Sequence, residues 1–353
     1  MERLTRTIAA IPPQDPAVAE ATRRRLDALT KPRRSLGRLE DLAVHFASIR
    51  GIALPDLPVK AVVVMAADHG VAAESVSAYP QEVTRQMLLN FARGGAAINA
   101  LARHAGARLV VIDMGVREPA PSEGLLIRDR RIGPGTRSFI GGPAMARNEA
   151  VAALEAGIQI AEELADEGVT LVGLGDMGIA NTTVASALTA AFTRAPVTEV
   201  VGRGTGIDDE GLERKIAVLR RALSVNVPDD ADPLGTLAAL GGFEIAGLAG
   251  VALGAAARRV GVVLDGFITG AAALGAARLA PSVLPYLLAS HRSVEPGHRR
   301  VLTALGATPF FDLEMRLGEG TGAALAMGLV EASVRVLREM ATFESAGVTD
   351  AGA

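Results

Sequence analysis

Glu319 is a lone carboxylate inside a run of three glycines, Met315-Arg316-Leu317-Gly318-Glu319-Gly320-Thr321-Gly322, and a long apolar segment follows it at once. Glycine lets the backbone take positive φ and approach a ligand closely. The following helix, expected from Ala323 to about Phe343, offers free N–H groups and a partial positive charge at its start. A glutamate held there can act as a buried cap, as an accessory to an anion site or as a general base.

A second glycine run, Gly202-Arg203-Gly204-Thr205-Gly206, reads as a turn ahead of a helix with Asp208, Asp209 and Glu210 in its first turn and Lys215 about two turns in. Backbone N–H groups in such a loop bind phosphate. The three acids read as dipole partners of the helix start. No Gly-Lys-Ser/Thr follows, so the spacing is not that of a triphosphate-binding loop, and a monophosphate fits better. Of the 36 basic residues only Lys31, Lys60 and Lys215 are lysine. A chain that otherwise uses arginine keeps lysine where a compact ammonium charge is needed. That reading is given to Lys31 and Lys215, and Lys60, just before an expected strand, is read as retained by chance.

The stretch Gly175 to Thr183, GDMGIANTT, is a third candidate. Asn181 is expected to cap the following helix, which leaves Gly178, Thr182 and Thr183 for a ligand. The five histidines show no HExxH spacing, so no metal site is expected, and His45 and His104 fall within helices as structural residues. With no cysteine there is no disulfide, thiolate zinc site or cysteine nucleophile. There is no G-x-S-x-G elbow, and no first strand leads into G-x-G-x-x-G, which disfavours a nicotinamide-dependent dehydrogenase.

These residues must be carried by some scaffold, and the chain has 353 residues, 49% hydrophobic, with mean hydropathy +0.30. That supports one large or two moderate domains. The net charge of −3 gives no reason to expect nucleic acid or an anionic membrane as partner. No signal-like or spanning apolar stretch is found, so a cytoplasmic enzyme is expected. Residues 1–57 read as helices: Asp15-Pro16 opens one through Leu29, and Ser35 opens another. From Lys60, apolar runs alternate with helices: Ala61–Ala66, Leu109–Ile112, Thr170–Leu174, Val197–Val201 and Val262–Leu264. This predicts an α/β fold with a parallel sheet covered on both faces. From about Pro296 the chain reads as helical again, with Glu344 to Ala353 frayed. Each expected strand ends in a Gly- or Asp-bearing turn, at Asp68, Asp113, Asp176, Gly202 and Asp265, and in such sheets ligands bind at those ends. The small-residue segment Gly241 to Arg258 predicts tight helix–sheet or subunit packing.

Taken together, the motifs resemble one family, the nicotinate-nucleotide:dimethylbenzimidazole phosphoribosyltransferases of cobalamin biosynthesis. The matching stretches are KPRRSLGRLEDLA (31–43), AADHGVAAESVSAYPQEVTRQM (66–87), GPAMARNEA (142–150), GDMGIANTT (175–183), VGRGTGIDDEGLERK (201–215), DGFITGAAAL (265–274) and LGEGTGAALA (317–326), in family order. The resemblance implies transfer of the phosphoribosyl group of nicotinate mononucleotide to 5,6-dimethylbenzimidazole, with inversion and without a cofactor. It implies a homodimer, a Rossmann-like large domain (58–295) and a small helical domain from both chain ends (1–57 and 296–353). By resemblance Glu319 is the general base, within Leu317 and Gly318 of the same stretch. Tyr79 and Met87 line the base pocket. Gly202, Arg203, Gly204, Thr205 and Lys215 hold the phosphate, Asp176, Gly178 and Asn181 lie in the nucleotide loop, and Asp265 stands at the next strand end. The commonest family form has Pro-Gly at Arg33-Arg34, and Glu and Gly at Asp176 and Ala180. Asp176 keeps the charge with one methylene less reach, and Ala180 implies a loop without positive φ there. Competing readings are a relative that uses adenine, another benzimidazole or a phenol as acceptor, and a nucleotide-binding homologue without turnover.

Overall fold

The computed structural model describes residues 1–119 and 124–349. Six parallel strands form one sheet: β1 (Lys60–Ala67), β2 (Arg108–Gly115), β3 (Ile127–Asp129), β4 (Leu171–Met177), β5 (Gly261–Leu264) and β6 (Leu287–Ala289). Their order is β3-β2-β1-β4-β5-β6. The winding reverses between β1 and β4, and that crevice is where an open α/β sheet takes its ligand. The sheet is an α/β fold of the expected kind.

The central strands are buried on both faces, which is why they read as continuous apolar runs. Side chains alternate along β1. Met65 faces the helix Phe243–Ala257, where a Cβ on Gly247 would lie 2.7 Å from its sulfur. Val62, of opposite parity, faces the helix Thr321–Glu339, close under Gly320. All of Phe243–Ala257 except Ala257 is buried within this one chain. Its backbone meets that of Arg147–Asp166 at Gly157 and Gly250, where any Cβ would collide with Gly247 O and Leu154 O. The small-residue segment is therefore used for packing inside the chain, and the expectation that it also serves a subunit contact is not needed to explain its composition.

The chain ends meet. Leu26 and Leu29 pack with Ala43, Val44 and Leu337, and Leu29 bridges to Thr342. Asp15 caps the helix Pro16–Ala28 by accepting from Ala17 N at 2.9 Å. The next helix, Arg38–Arg50, starts three residues later than the Ser35 expectation, because Arg34 (φ 62) and Gly37 (φ 54) turn the chain first. Lys31 and Glu40 form a buried ion pair at 2.8 Å across that turn. Lys60 pairs with Glu331. The helix Pro296–Leu305 stops well short of Thr321, and residues 306–320 between them are largely irregular.

Val197–Val201 is not a strand: residues Val197–Val200 form one helical turn. Pro196 (φ −55) sets the helical start. β4 already has β1 and β5 as neighbours, so no sheet edge is open to a strand there. The three-residue strands β3 and β6 were too short to read from the sequence. No helix among the described residues is long and apolar enough to cross a membrane.

Candidate functional site

A cavity of about 340 Å³ lies at the carboxyl ends of β4, β5 and β6. Four segments line it: Tyr79, the stretch Asp176 to Thr182, Gly204-Thr205, and Arg316 to Gly318. Phe267, His291, Ser293 and Glu295 close the far side. Nine candidates from the sequence therefore meet here, namely Tyr79, Asp176, Gly178, Asn181, Thr182, Gly204, Thr205, Leu317 and Gly318. Tyr79 and Leu317 present large apolar surfaces to it and are 56% and 59% exposed. Gly202, Arg203, Lys215, Asp265 and Glu319 stand behind this lining. Met87 lies on the helix Glu82–Arg93, half-buried against the core, and does not line the cavity. Of the five glycine- and aspartate-bearing turns, those at Asp68 and Asp113 are away from it: Asp68 accepts from Arg117 N at 2.7 Å and lines a separate cavity. At the second turn Asp113 is turned away as well. That carboxylate folds back on Gly115 N and Val116 N at 2.9 and 2.8 Å.

Glu319 sits in an unusual backbone. Gly318, Glu319 and Gly320 all have positive φ, at 85, 63 and 88°. For glutamate this is a strained conformation of the kind that persists only where surrounding contacts over-determine it. Here Gly175 of β4 supplies the contact, since any Cβ on it would collide with the Glu319 carbonyl oxygen. The Glu319 side chain is buried, and its Oε2 accepts from Ile98 N at 3.2 Å, at the start of the helix Ala97–Ala105. Burial raises its pKa above the ordinary carboxylate value, against that one N–H donor. Glu319 thus caps a helix, but not the one that follows it in sequence.

The helix that follows, Thr321–Glu339, is capped by Asp265 at the end of β5. Asp265 Oδ2 accepts from Gly320 N at 3.1 Å, and Oδ1 from Gly322 N at 2.6 Å and Ala323 N at 3.3 Å. Burial pushes its pKa up to about 7 although the three backbone donors pull it down. Asp176 is pushed well above the usual carboxylate range, first by burial and then by the charges of Asp265, Glu244 and Glu319. Asn181 Nδ2 donates to Asp176 Oδ2 at 2.9 Å. The expectation that Asn181 caps its helix is corrected: it is the first helical residue, and its side chain serves Asp176 instead. The cap position is Ala180, with φ 73, so the inference that this loop avoids positive φ is overturned as well.

The loop 202–206 faces the same cavity although it follows a helical turn. Lys215 Nζ, fully buried, donates to Thr182 Oγ1 at 2.9 Å and Gly202 O at 3.2 Å. Gly204 (φ 51) leaves room for both, since a Cβ there would lie 2.7 Å from Thr182 Oγ1. Thr205 Oγ1 accepts from Ala78 N at 3.1 Å, which ties the loop to the Tyr79 segment. The Arg203 guanidinium turns outward to Asp209. Asp208, expected in the first turn, is instead the cap residue of the helix Asp209–Asn226, accepting from Gly211 N at 2.8 Å, and Asp209 and Glu210 are the acids of the first turn.

Among the lining residues that escaped sequence reasoning are Glu295, Arg316 and His291. Glu295 Oε1 accepts from Gly204 N at 3.1 Å. Arg316 Nη1 donates to Gly204 O at 3.1 Å. His291, neutral because burial lowers its pKa, stacks on Phe311 with ring centroids 6.0 Å apart. A usable signal existed for Glu295 alone, since it directly precedes Pro296 at a helix start. Among the described residues no cluster of His, Asp and Glu could hold a metal ion.

A family model described as phosphoribosyltransferase matches residues 11–348 of the chain. The chain is 59% identical over 349 residues to a protein of Roseiflexus sp. (strain RS-1) named nicotinate-nucleotide–dimethylbenzimidazole phosphoribosyltransferase, covering 99% of both chains. A protein of the same name from Chloroflexus aggregans (strain MD-66 / DSM 9485) is 58% identical over 350 residues, again covering 99% of both. The fold is similar to a crystal structure of the phosphoribosyltransferase of that name from Thermus thermophilus. The TM-score is 0.90 at 49% identity, covering 95% of this chain and 99% of that one.

Proposed function

The chain belongs to the family of nicotinate-nucleotide–dimethylbenzimidazole phosphoribosyltransferases, and on that premise we propose how its own residues carry the reaction. The enzyme transfers the phosphoribosyl group of nicotinate mononucleotide to 5,6-dimethylbenzimidazole, giving α-ribazole 5′-phosphate and nicotinate. One benzimidazole nitrogen attacks C1′ of the ribose and would leave the ring cationic. Glu319 takes the proton from the other nitrogen as the bond forms. Its raised pKa suits it to that role, because a base works best with a pKa nearer the working pH. The leaving nitrogen is a pyridinium that departs as the neutral ring of nicotinate, so no acid is required. A single displacement inverts C1′.

The observation that carries this reading is Glu319, held in a strained, positive-φ backbone against Gly175 of β4 and directly behind the Leu317-Gly318 lining of the cavity. The base lies between Tyr79 and Leu317, and the nucleotide lies along Asp176 to Thr182 with its phosphate at Gly202 to Thr205 over Lys215. The terminal helices that meet at Leu29 and Leu337 form a small helical lobe over the Glu319 side of the sheet. The enzyme acts in the cytoplasm as a homodimer; the exposed apolar side chains Leu313 and Leu317 near the cavity mouth support a partner surface there. The test is product analysis after incubation with nicotinate mononucleotide and a mixture of bases. Release of nicotinate with α-ribazole 5′-phosphate as main product is expected, and preferential transfer to adenine or a phenol would overturn the acceptor assignment.

A further inference from the structure

Lys215 is a buried ammonium whose hydrogen bonds go only to neutral oxygens, Thr182 Oγ1 and Gly202 O. Among the described residues it makes no ion pair, unlike Lys31 with Glu40 and Lys60 with Glu331. A buried cation without a partner is costly. The same glycine stretch is gripped by a second charge. Glu295 is buried, its Oε1 is committed to Gly204 N, and its Oε2 has no hydrogen-bond partner although it is sealed from solvent. That oxygen presses on Gly202 so closely that any Cβ there would collide with it.

We propose that Glu295 is a positioning residue for the nucleotide phosphate: it is the resident counter-charge that keeps Lys215 protonated, and the Gly204 amide aligned, while the phosphate is absent. This rests on the reading that the loop 202–206 holds the phosphate.

The surrounding groups leave this role to Glu295. Arg203 is turned out to Asp209, and Asp208 is occupied in capping its own helix. Arg316 bonds the Gly204 carbonyl and adds positive charge near the loop. Glu199, near the same end of Pro296–Leu305, is paired with Arg300. His298 accepts from Ser293 N at 3.0 Å and is held neutral, with burial lowering its pKa to about 3, and His291 is lowered too. Burial lowers Lys215 to about 8, and Glu295 is the charge that opposes the fall. When the phosphate dianion arrives it takes over as counter-charge, so binding to the native enzyme needs little proton uptake at this lysine.

The experiment is calorimetry of nicotinate mononucleotide binding at pH 7 in buffers of different ionisation enthalpy, which reads the protons taken up. A group with a pKa of about 8 is roughly nine-tenths protonated at that pH, so Lys215 should contribute no more than about a tenth of a proton to the uptake of the unsubstituted enzyme, read as its difference from Lys215→Met. Glu295→Gln keeps an oxygen for Gly204 N and removes the charge. It should take up several tenths of a proton, Glu295→Asp should restore the low value, and adding Lys215→Met to Glu295→Gln should abolish the excess. Equal uptake by Glu295→Gln and the unsubstituted enzyme overturns the proposal. Should Glu295→Gln fail to fold, Glu295→Asn is read in the same way: an excess uptake that Lys215→Met abolishes supports the proposal, and uptake equal to that of the unsubstituted enzyme overturns it. Unchanged nucleotide affinity in Lys215→Met alone would instead remove the phosphate reading of the loop.

Discussion

The two glycine loops that meet at the cavity are built on opposite plans. The loop Leu317 to Gly320 is fastened through its backbone: three successive positive-φ residues, a carbonyl seated on Gly175, and amides that end on Asp265. The loop Gly202 to Gly206 is fastened by side chains reaching in from distant segments, Lys215, Glu295 and Arg316. The first arrangement fixes one carboxylate in one place chiefly by backbone conformation and close packing. The second makes a loop whose shape and charge depend on ionisable groups, and so on pH and on the anion it holds. A base must be placed accurately before the reaction starts, whereas a phosphate can complete its own site as it binds.

The contrast breaks most visibly at the base. Glu319→Gln keeps the shape and still accepts from Ile98 N, but it cannot take a proton. Turnover is expected to fall by roughly a hundredfold or more, the scale of losing a general base, with nucleotide affinity kept. Burial raises the pKa of Glu319, and the base acts when ionised, so the rate should fall on the acid side through a pKa above the ordinary value of 4.5. Near-normal turnover in the mutant would sink the assignment.

In the other loop the signature is in binding. Lys215→Met removes a charge-assisted contact worth about 1.5–3 kcal/mol, so nucleotide affinity should drop some ten- to a hundredfold while benzimidazole affinity holds. Titration of each ligand separately checks this, and equal weakening of both would refute it.

Acceptor choice should respond less. Burying a methyl is worth roughly 0.8 kcal/mol, so two methyls against Tyr79 favour dimethylbenzimidazole over benzimidazole by about tenfold. Tyr79→Ala should shrink the ratio of kcat/KM between the two bases. An unchanged ratio would place the methyl groups elsewhere.

The smallest effect is expected at Ala180. An alanine in the left-handed region is strained, and glycine is not, though glycine loses more freedom on folding. Ala180→Gly should raise stability by no more than about 1 kcal/mol in denaturant unfolding, and a clear loss would mean the methyl group is needed for packing.

Much of this was legible in the chain because it is written in local patterns. Apolar runs alternating with helices gave the parallel sheet, and glycine beside carboxylate marked the strand ends that line the crevice. The errors share one cause. Val197 to Val201 has strand-like side chains, but no place in the sheet was free for it. Asn181 looks like a cap because its neighbours are helical, yet its partner is a carboxylate on the strand before it. Asp265 could be seen as a strand-end acid, but its use as the cap of a helix more than fifty residues on could not. Glu295 and Arg316 act on Gly204 across wider gaps still, of 91 and 112 residues. Residues 350–353, part of the expected frayed end, lie outside the described residues.

The chain has no tryptophan and only two tyrosines, Tyr79 and Tyr286. Tyr286 is fully buried, and its hydroxyl donates to Pro12 O at 2.7 Å. Tyr79 stands at the cavity, more than half exposed. The intrinsic ultraviolet emission of this protein therefore comes from one sealed, constant source and one at the site where the base is to lie. A change in tyrosine emission on ligand binding, corrected for the substrates' own absorbance, would therefore report from Tyr79.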